Sequence, residues 1–259
     1  MYLTITNEHM ETNKELKLAV LIDADNVPYS NIKGMLEEIA RYGTPTFKRI
    51  YGDWTKPTLS GWKTVLLENA ITPVQQYSYT SGKNSSDSAL IIDAMDILYT
   101  GQIDGFCIIS SDSDFTRLAT RLREAGKKVF GIGEKKTPYA FIAACNKFIF
   151  IEILQKEIKD DQPEKTGPKK TTKKPTEPAG LNKTLRKLIV SSVNDLAEED
   201  GWVFLSSLGN HIIKKEPSFD PRNYGFKKLV DIIRNISEIA IEERASGKNS
   251  IAHLYVRVK

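Results

Sequence analysis

Between residues 17 and 154, short apolar runs alternate with longer stretches of helical periodicity, and this alternation leaves few folds open. LAVLI (18–22) is an unbroken apolar run, as expected of a strand covered on both faces. Strands are also predicted near 46–51 and 73–79, at GFCIIS (105–110), at KVFGIG (128–133) and at FIFIEIL (148–154). Helices are predicted between them near 29–42, 60–70, 86–99, 114–125 and 138–146. A βαβα order of this kind argues for a parallel sheet with helices on both faces.

The pattern stops at DDQPEKTGPKKTTKKPTEPAG (160–180), which has no aliphatic residue larger than alanine. Such a segment cannot bury enough apolar area to offset its ordering entropy and reads as a linker. Beyond it, helical periodicity is predicted at 181–199, 204–215 and 224–236. Two strands over 239–258 follow, around a Ser-Gly-Lys-Asn turn. Three helices and a hairpin describe a winged helix. The expected division is a flexible terminus (1–16), an α/β domain (17–156), a linker (157–180) and a winged-helix domain (181–259).

Composition excludes several classes of function. A net charge of +4 and a pI near 8.8 permit nucleic-acid binding without demanding it. Cys107 and Cys145 lie in apolar stretches with no ligand spacing, which argues against zinc and fits free thiols in a cytoplasmic protein. His9, His211 and His253 form no metal or triad pattern. No run approaches the ~18 apolar residues of a membrane span, and the first sixteen residues lack the apolar centre of a signal peptide.

The chemistry-bearing residues are acids at strand ends. LAVLI runs into DADN, placing Asp23 at the end of the first strand with Asp25 and Asn26 just beyond. GFCIIS runs into SDSDF, placing Asp112 and Asp114 at the end of another. In open parallel sheets, ligands bind outside these carboxyl ends. GKNSSDSALIIDAMD adds Asp87 in the first turn of a helix capped by Ser85 or Ser86. Carboxylates converging on one spot repel unless a cation neutralises them. With oxygen donors and neither His nor Cys, Mg²⁺ or Mn²⁺ is the natural choice. A single aspartate at a strand end is more often a cap or turn residue, and Asp25, Asp114, Asp93 and Asp96 each fit that description. Three groups reaching one edge reverse those odds.

Together LIDADNV, GKNSSDSALIIDAMD and IISSDSDFTRLATRLREAGKKVFGIG resemble the motif blocks of NYN domains, PIN-like ribonucleases that include a bacterial LabA-like group. The resemblance implies a Rossmann-like three-layer α/β/α sandwich whose acids coordinate Mg²⁺ or Mn²⁺ and hydrolyse RNA. It makes Asp23, Asp87 and Asp112 the metal-binding acids and Asp114 a secondary acid. Asn26 would orient Asp23 or touch a phosphate, and Ser110 and Ser111 would bind phosphate oxygen. Asp53 is a candidate fourth acid. Asp93 lies about 240° around the helix from Asp87 and so points elsewhere. Lys56 and Lys83 would line the mouth of the RNA site.

FDPRNYGFKKLVDII resembles an OST-HTH/LOTUS domain, which implies binding of RNA, G-rich RNA included, or of a protein partner. Arg222, Lys227, Lys228 and Lys248 would contact phosphate and Tyr224 would stack on a base, although Tyr224 at a helix start also fits a core position. Trp54, Trp62 and Trp202 read as core or core-edge residues. The leading expectation is a metal-dependent endoribonuclease acting on single-stranded or structured RNA, with a homodimer as a further expectation. The alternatives are a non-catalytic RNA-binding adaptor and, from the Asp23-Ala-Asp25 start, a haloacid-dehalogenase-type phosphatase.

Overall fold

A computed structural model of the chain describes residues 15–77, 85–154, 181–246 and 251–259. Lys83, Lys248, the expected linker, most of the expected flexible terminus and most of the hairpin turn lie outside these residues.

The first strand, β1 (Lys17–Asp23), is buried from Leu18 onward. Leu18, Val20 and Ile22 pack into one cluster and Ala19 and Leu21 into another. Side chains alternate faces along a strand, so a strand covered on both sides reads as an unbroken apolar run. The same split recurs in β4 (Gly105–Ile109), with Cys107 and Ile109 on one face and Phe106 and Ile108 on the other. With β2 (Thr44–Gly52), β3 (Thr72–Gln75), β5 (Lys128–Gly133) and β6 (Lys147–Phe150), these strands form one sheet in the order β3-β2-β1-β4-β5-β6, every pairing parallel.

Helices α1 (Ile32–Ile39) and α2 (Trp62–Glu68) cover one face through Met35, Ile39, Trp62 and Leu66. The other face lies under α3 (Ser85–Thr100), α4 (Thr116–Glu124) and α5 (Tyr139–Ala144), which contribute Leu90, Ala94, Leu118, Leu122 and Phe141. The result is the expected Rossmann-like three-layer sandwich. Strand order runs one way from β1 to β2 and the other way from β4 to β5, so a topological switch point lies between β1 and β4.

The second domain is a winged helix. It contains α6 (Lys183–Leu196), β7 (Val203–Phe204), α7 (Leu205–Lys215), α8 (Leu229–Arg234), β8 (Ile239–Ser246) and β9 (Ile251–Val258). The strands form an antiparallel sheet in the order β7-β9-β8. Leu185, Ile189, Leu208, Ile212, Ile232, Ile233 and Val256 fill its core.

Two elements differ from expectation. FIFIEIL is strand only through Phe150, and residues 151–154 are helical. Ile151 and Leu154 both join the cluster under α1. A helix puts positions three apart on one face, whereas a strand would send them to opposite faces. The single helix expected at 224–236 is divided into a 3-10 turn (Pro221–Tyr224) and α8. Gly225, at φ +82°, adopts a left-handed conformation that ends the turn, and the Asp231 side chain accepts the Lys228 N–H to start α8 afresh.

Candidate metal centre

The acids are held at the switch point by the ends of two neighbouring strands and the start of one helix. Asp23 closes β1 and is only 1% exposed. Its Oδ2 accepts hydrogen bonds from Asn26 Nδ2 (2.7 Å) and Ser110 Oγ (2.8 Å), and its Oδ1 accepts from the Asp25 N–H (3.1 Å). Ser110 Oγ also accepts the Asp112 N–H (3.1 Å), which ties the two strand ends together. The Asp112 carboxylate caps the following 3-10 turn, its Oδ1 accepting the Asp114 N–H at 2.9 Å. Asp87 sits in the first turn of α3, where the helix dipole favours a negative charge.

Asp87, Asp112 and Asp114 each present a carboxylate oxygen, and the three oxygens lie within 4.8 Å of one another. Asp87 is buried, Asp112 is half-buried and Asp114 is exposed, so the group opens to solvent on one side. Burial raises Asp23 above the usual carboxylate range despite its three hydrogen bonds. Burial also raises Asp87 to about 6, aided by the charges of Asp23, Asp112, Asp114 and Asp25. The donors are all hard oxygens, and solvent reaches one side. This arrangement could hold a hard divalent cation that keeps several waters.

The set that converges differs by one residue from the expected ligands. Asp114, read as secondary, belongs to the close group. Asp23 accepts hydrogen bonds at both oxygens, and its charge acts on Asp87 more than that of any other neighbour. Of the two roles open to Asn26, it takes the one that orients Asp23.

Other expectations need correction. Ser110 is fully buried and its hydroxyl donates to Asp23 rather than to a phosphate, while the Ser111 hydroxyl accepts the Glu134 N–H at 2.9 Å. Asp53 is a turn residue whose Oδ1 accepts from Thr55 and Gln75. Asp93 faces β2, where it binds Arg49 and the Tyr51 hydroxyl, as its angular distance from Asp87 requires. Arg222 binds Asp220 and Glu38 rather than standing free for RNA. Tyr224 is half-buried against Phe219 in the winged-helix core. Lys227 and Lys228 are exposed.

Sequence reasoning missed a link at the mouth of the site. Asp25 accepts from Ser86 Oγ (3.3 Å) and pairs with Lys56 Nζ (3.7 Å). Ser86 looked like a helix cap, and nothing in linear spacing connects residues 25, 56 and 86.

Residues 17–152 match the NYN domain family. The chain belongs to that family. NYN domains are part of the PIN-like nuclease superfamily. Residues 176–251 match the OST-HTH/LOTUS domain, a module that binds RNA. No curated protein matches the chain. Among solved structures it is similar to a Vibrio parahaemolyticus protein of unknown function, at 20% identity over 54% of this chain and 94% of that one, with a TM-score of 0.44. It is also similar to an uncharacterized Nitrosomonas europaea protein, at 27% identity over 38% and 92%, with a TM-score of 0.29. A Chromobacterium violaceum protein is similar at 30% identity over 31% and 86%, with a TM-score of 0.25. Among the described residues, no helix is long and apolar enough to cross a membrane. The acid group therefore lies inside an NYN domain, at the carboxyl edge where its sheet reverses strand order.

Proposed function

We propose that this NYN protein is a divalent-cation-dependent endoribonuclease whose LOTUS domain holds the RNA. The observation that carries this reading is the approach of the Asp87, Asp112 and Asp114 oxygens to within 4.8 Å at the switch point. Three carboxylates that close repel one another, and a cation between them would relieve that repulsion. Asp87, Asp112 and Asp114 would hold Mg²⁺ or Mn²⁺, with the charge of Asp23 adding to theirs. When bound, such a cation activates water and neutralises charge at a phosphodiester. Ser110 and Asn26 keep the Asp23 carboxylate fixed, while Asp114 faces the solvent side from which water and RNA arrive. Hydrolysis would leave a 5′-phosphate and a 3′-hydroxyl.

The phosphatase alternative needs Asp23 as an accessible nucleophile. Its burial and three hydrogen bonds argue against that role. The reading extends to a cytoplasmic protein that takes single-stranded or structured RNA, G-rich RNA included. A protein partner at the LOTUS domain and a homodimer belong to it as further proposals.

The test is a time course on labelled single-stranded, duplex and G-rich RNA with Mg²⁺, Mn²⁺ or chelator, for wild type and Asp112→Asn. Cleavage that needs the cation and disappears in the variant supports the reading. Cleavage that persists in chelator overturns it. RNA binding without any turnover favours the adaptor alternative.

A further inference from the structure

We infer that Arg222 is a clamp that docks the winged-helix domain onto the NYN domain through Glu38. The guanidinium forms a two-pronged contact across the domain boundary, Nη1 to Glu38 Oε2 at 3.0 Å and Nη2 to Glu38 Oε1 at 2.9 Å. Its Nε and Nη2 also donate to Asp220 Oδ1 (2.9 Å) and Oδ2 (2.8 Å) in its own domain. The Glu38 side chain is 2% exposed and that of Arg222 16%. Tyr42 donates its hydroxyl to Glu38 Oε1 at 2.8 Å, and Arg41 approaches Oε2 at 3.1 Å. Planar, two-pronged pairs are the strong class of ion pair, and breaking a buried one strands a charge.

A second contact supports the same docking. Among the described residues, β6 is an edge of the sheet, paired with β5 alone. The Phe148 N–H donates to the Pro217 carbonyl at 2.8 Å, so the winged-helix domain covers part of an edge that would otherwise invite foreign pairing. Nearby, the Lys147 ammonium lies 5.0 Å from the Tyr42 ring centroid. Arg222 and Lys147 thus face Glu38 and Asp220, two positive charges against two negative ones, with the more exposed Arg41 beside Glu38.

The covalent connection alone would not hold the domains together. The chain from 155 to 180 contains 26 residues, enough to extend on the order of 85 Å. Docking has a geometric consequence. Glu38 lies in the last turn of α1, which runs back from the carboxyl end of β1 toward the start of β2. Lys147 opens β6. By register Lys147 is level with Phe130, Cys107 and Val20, three residues before Asp23, and β6 lies three strands from β1, so the clamp is displaced from the acids by on the order of 15 Å. RNA gripped by the docked domain would have to cross that distance to be cut. This consequence rests on the ribonuclease reading, whereas the clamp itself does not.

The test is small-angle X-ray scattering with light-scattering mass on the full chain, for wild type, Glu38→Gln, Arg222→Ala and the double variant, with circular dichroism to verify folding. The expected result is a monomeric wild type whose radius of gyration rises by about a fifth in either single variant as the domains part along the linker. The double variant should rise no further than either single. Glu38→Gln preserves shape, so it keeps the test open if Arg222→Ala, which also abandons Asp220, disturbs the second domain. Unchanged scattering in Glu38→Gln overturns the proposal, as do single effects that add. A wild-type mass that is doubled, and halved in the variants, also overturns it, by placing the contact between two copies. None of these outcomes depends on RNA cleavage.

Discussion

Asp87→Asn should stabilise the cation-free protein while abolishing its response to the cation. Asp87 is raised from 3.8 to about 6 by burial and by the charges of its neighbours. At about 1.4 kcal/mol per pH unit, holding it ionised at neutral pH costs about 3 kcal/mol. An asparagine of the same shape keeps the packing and removes the charge, so a gain of about 1–3 kcal/mol is expected. For a domain of this size, that corresponds to roughly 3–8 °C in Tm.

The pH dependence has a definite sign. The folded state binds this proton more tightly than the unfolded chain, so the stability of the wild type falls as pH rises from about 4 to about 6. The advantage of the asparagine should be full above about pH 6 and vanish below about pH 4. Saturating Mg²⁺ or Mn²⁺ should close or reverse the gap, since a ligand at a hundred times its Kd adds about 2.7 kcal/mol to the wild type and little to the variant. The assay is thermal unfolding of both proteins in chelator and in each cation, from pH 4 to 8. A variant less stable than wild type in chelator at pH 7, or a gap that does not change with pH, would refute the reasoning.

Other substitutions separate support from contact with substrate. Ser110→Ala removes the hydroxyl that joins Asp23 to the Asp112 N–H, and urea unfolding should show a loss of about 1–3 kcal/mol. A raised KM at unchanged stability would instead restore Ser110 as a phosphate contact. Asp93→Ala deprives the buried Tyr51 hydroxyl and Arg49 of their acceptor. It should cost about 1–3 kcal/mol without changing cation affinity measured by calorimetry. Lys56→Ala breaks only an exposed pair with Asp25, so stability should move by under ~1 kcal/mol. A several-fold rise in KM for RNA is the expected sign of its place at the mouth, and an unchanged KM would leave Lys56 a solvated side chain.

The elements legible beforehand were those with strong local rules. The strands β1, β4 and β5 were marked by apolar runs, because burial on both faces leaves no polar position to interrupt them, whereas β2 and β3 carry polar and exposed positions. The acids at strand ends were legible for the same reason, since a charged residue directly after a buried run stands where the strand leaves the core. The ends of elements were less visible. Residues 151–154 became helical because Ile151 and Leu154 had to reach the same cluster, and Gly225 broke what read as one continuous helix.

Local sequence therefore determined the architecture and the family, because periodicity and motif spacing are set by nearest neighbours along the chain. Only the tertiary structure could decide which carboxylates share a spot, that Asp114 joins Asp87 and Asp112 while Asp23 is engaged by Asn26 and Ser110, and that Arg222 faces Glu38 rather than solvent. These outcomes depend on groups 25 to 184 positions apart in the chain. Their energies come from burial and from charge at a distance of a few ångströms, and no pattern confined to neighbouring residues encodes those distances.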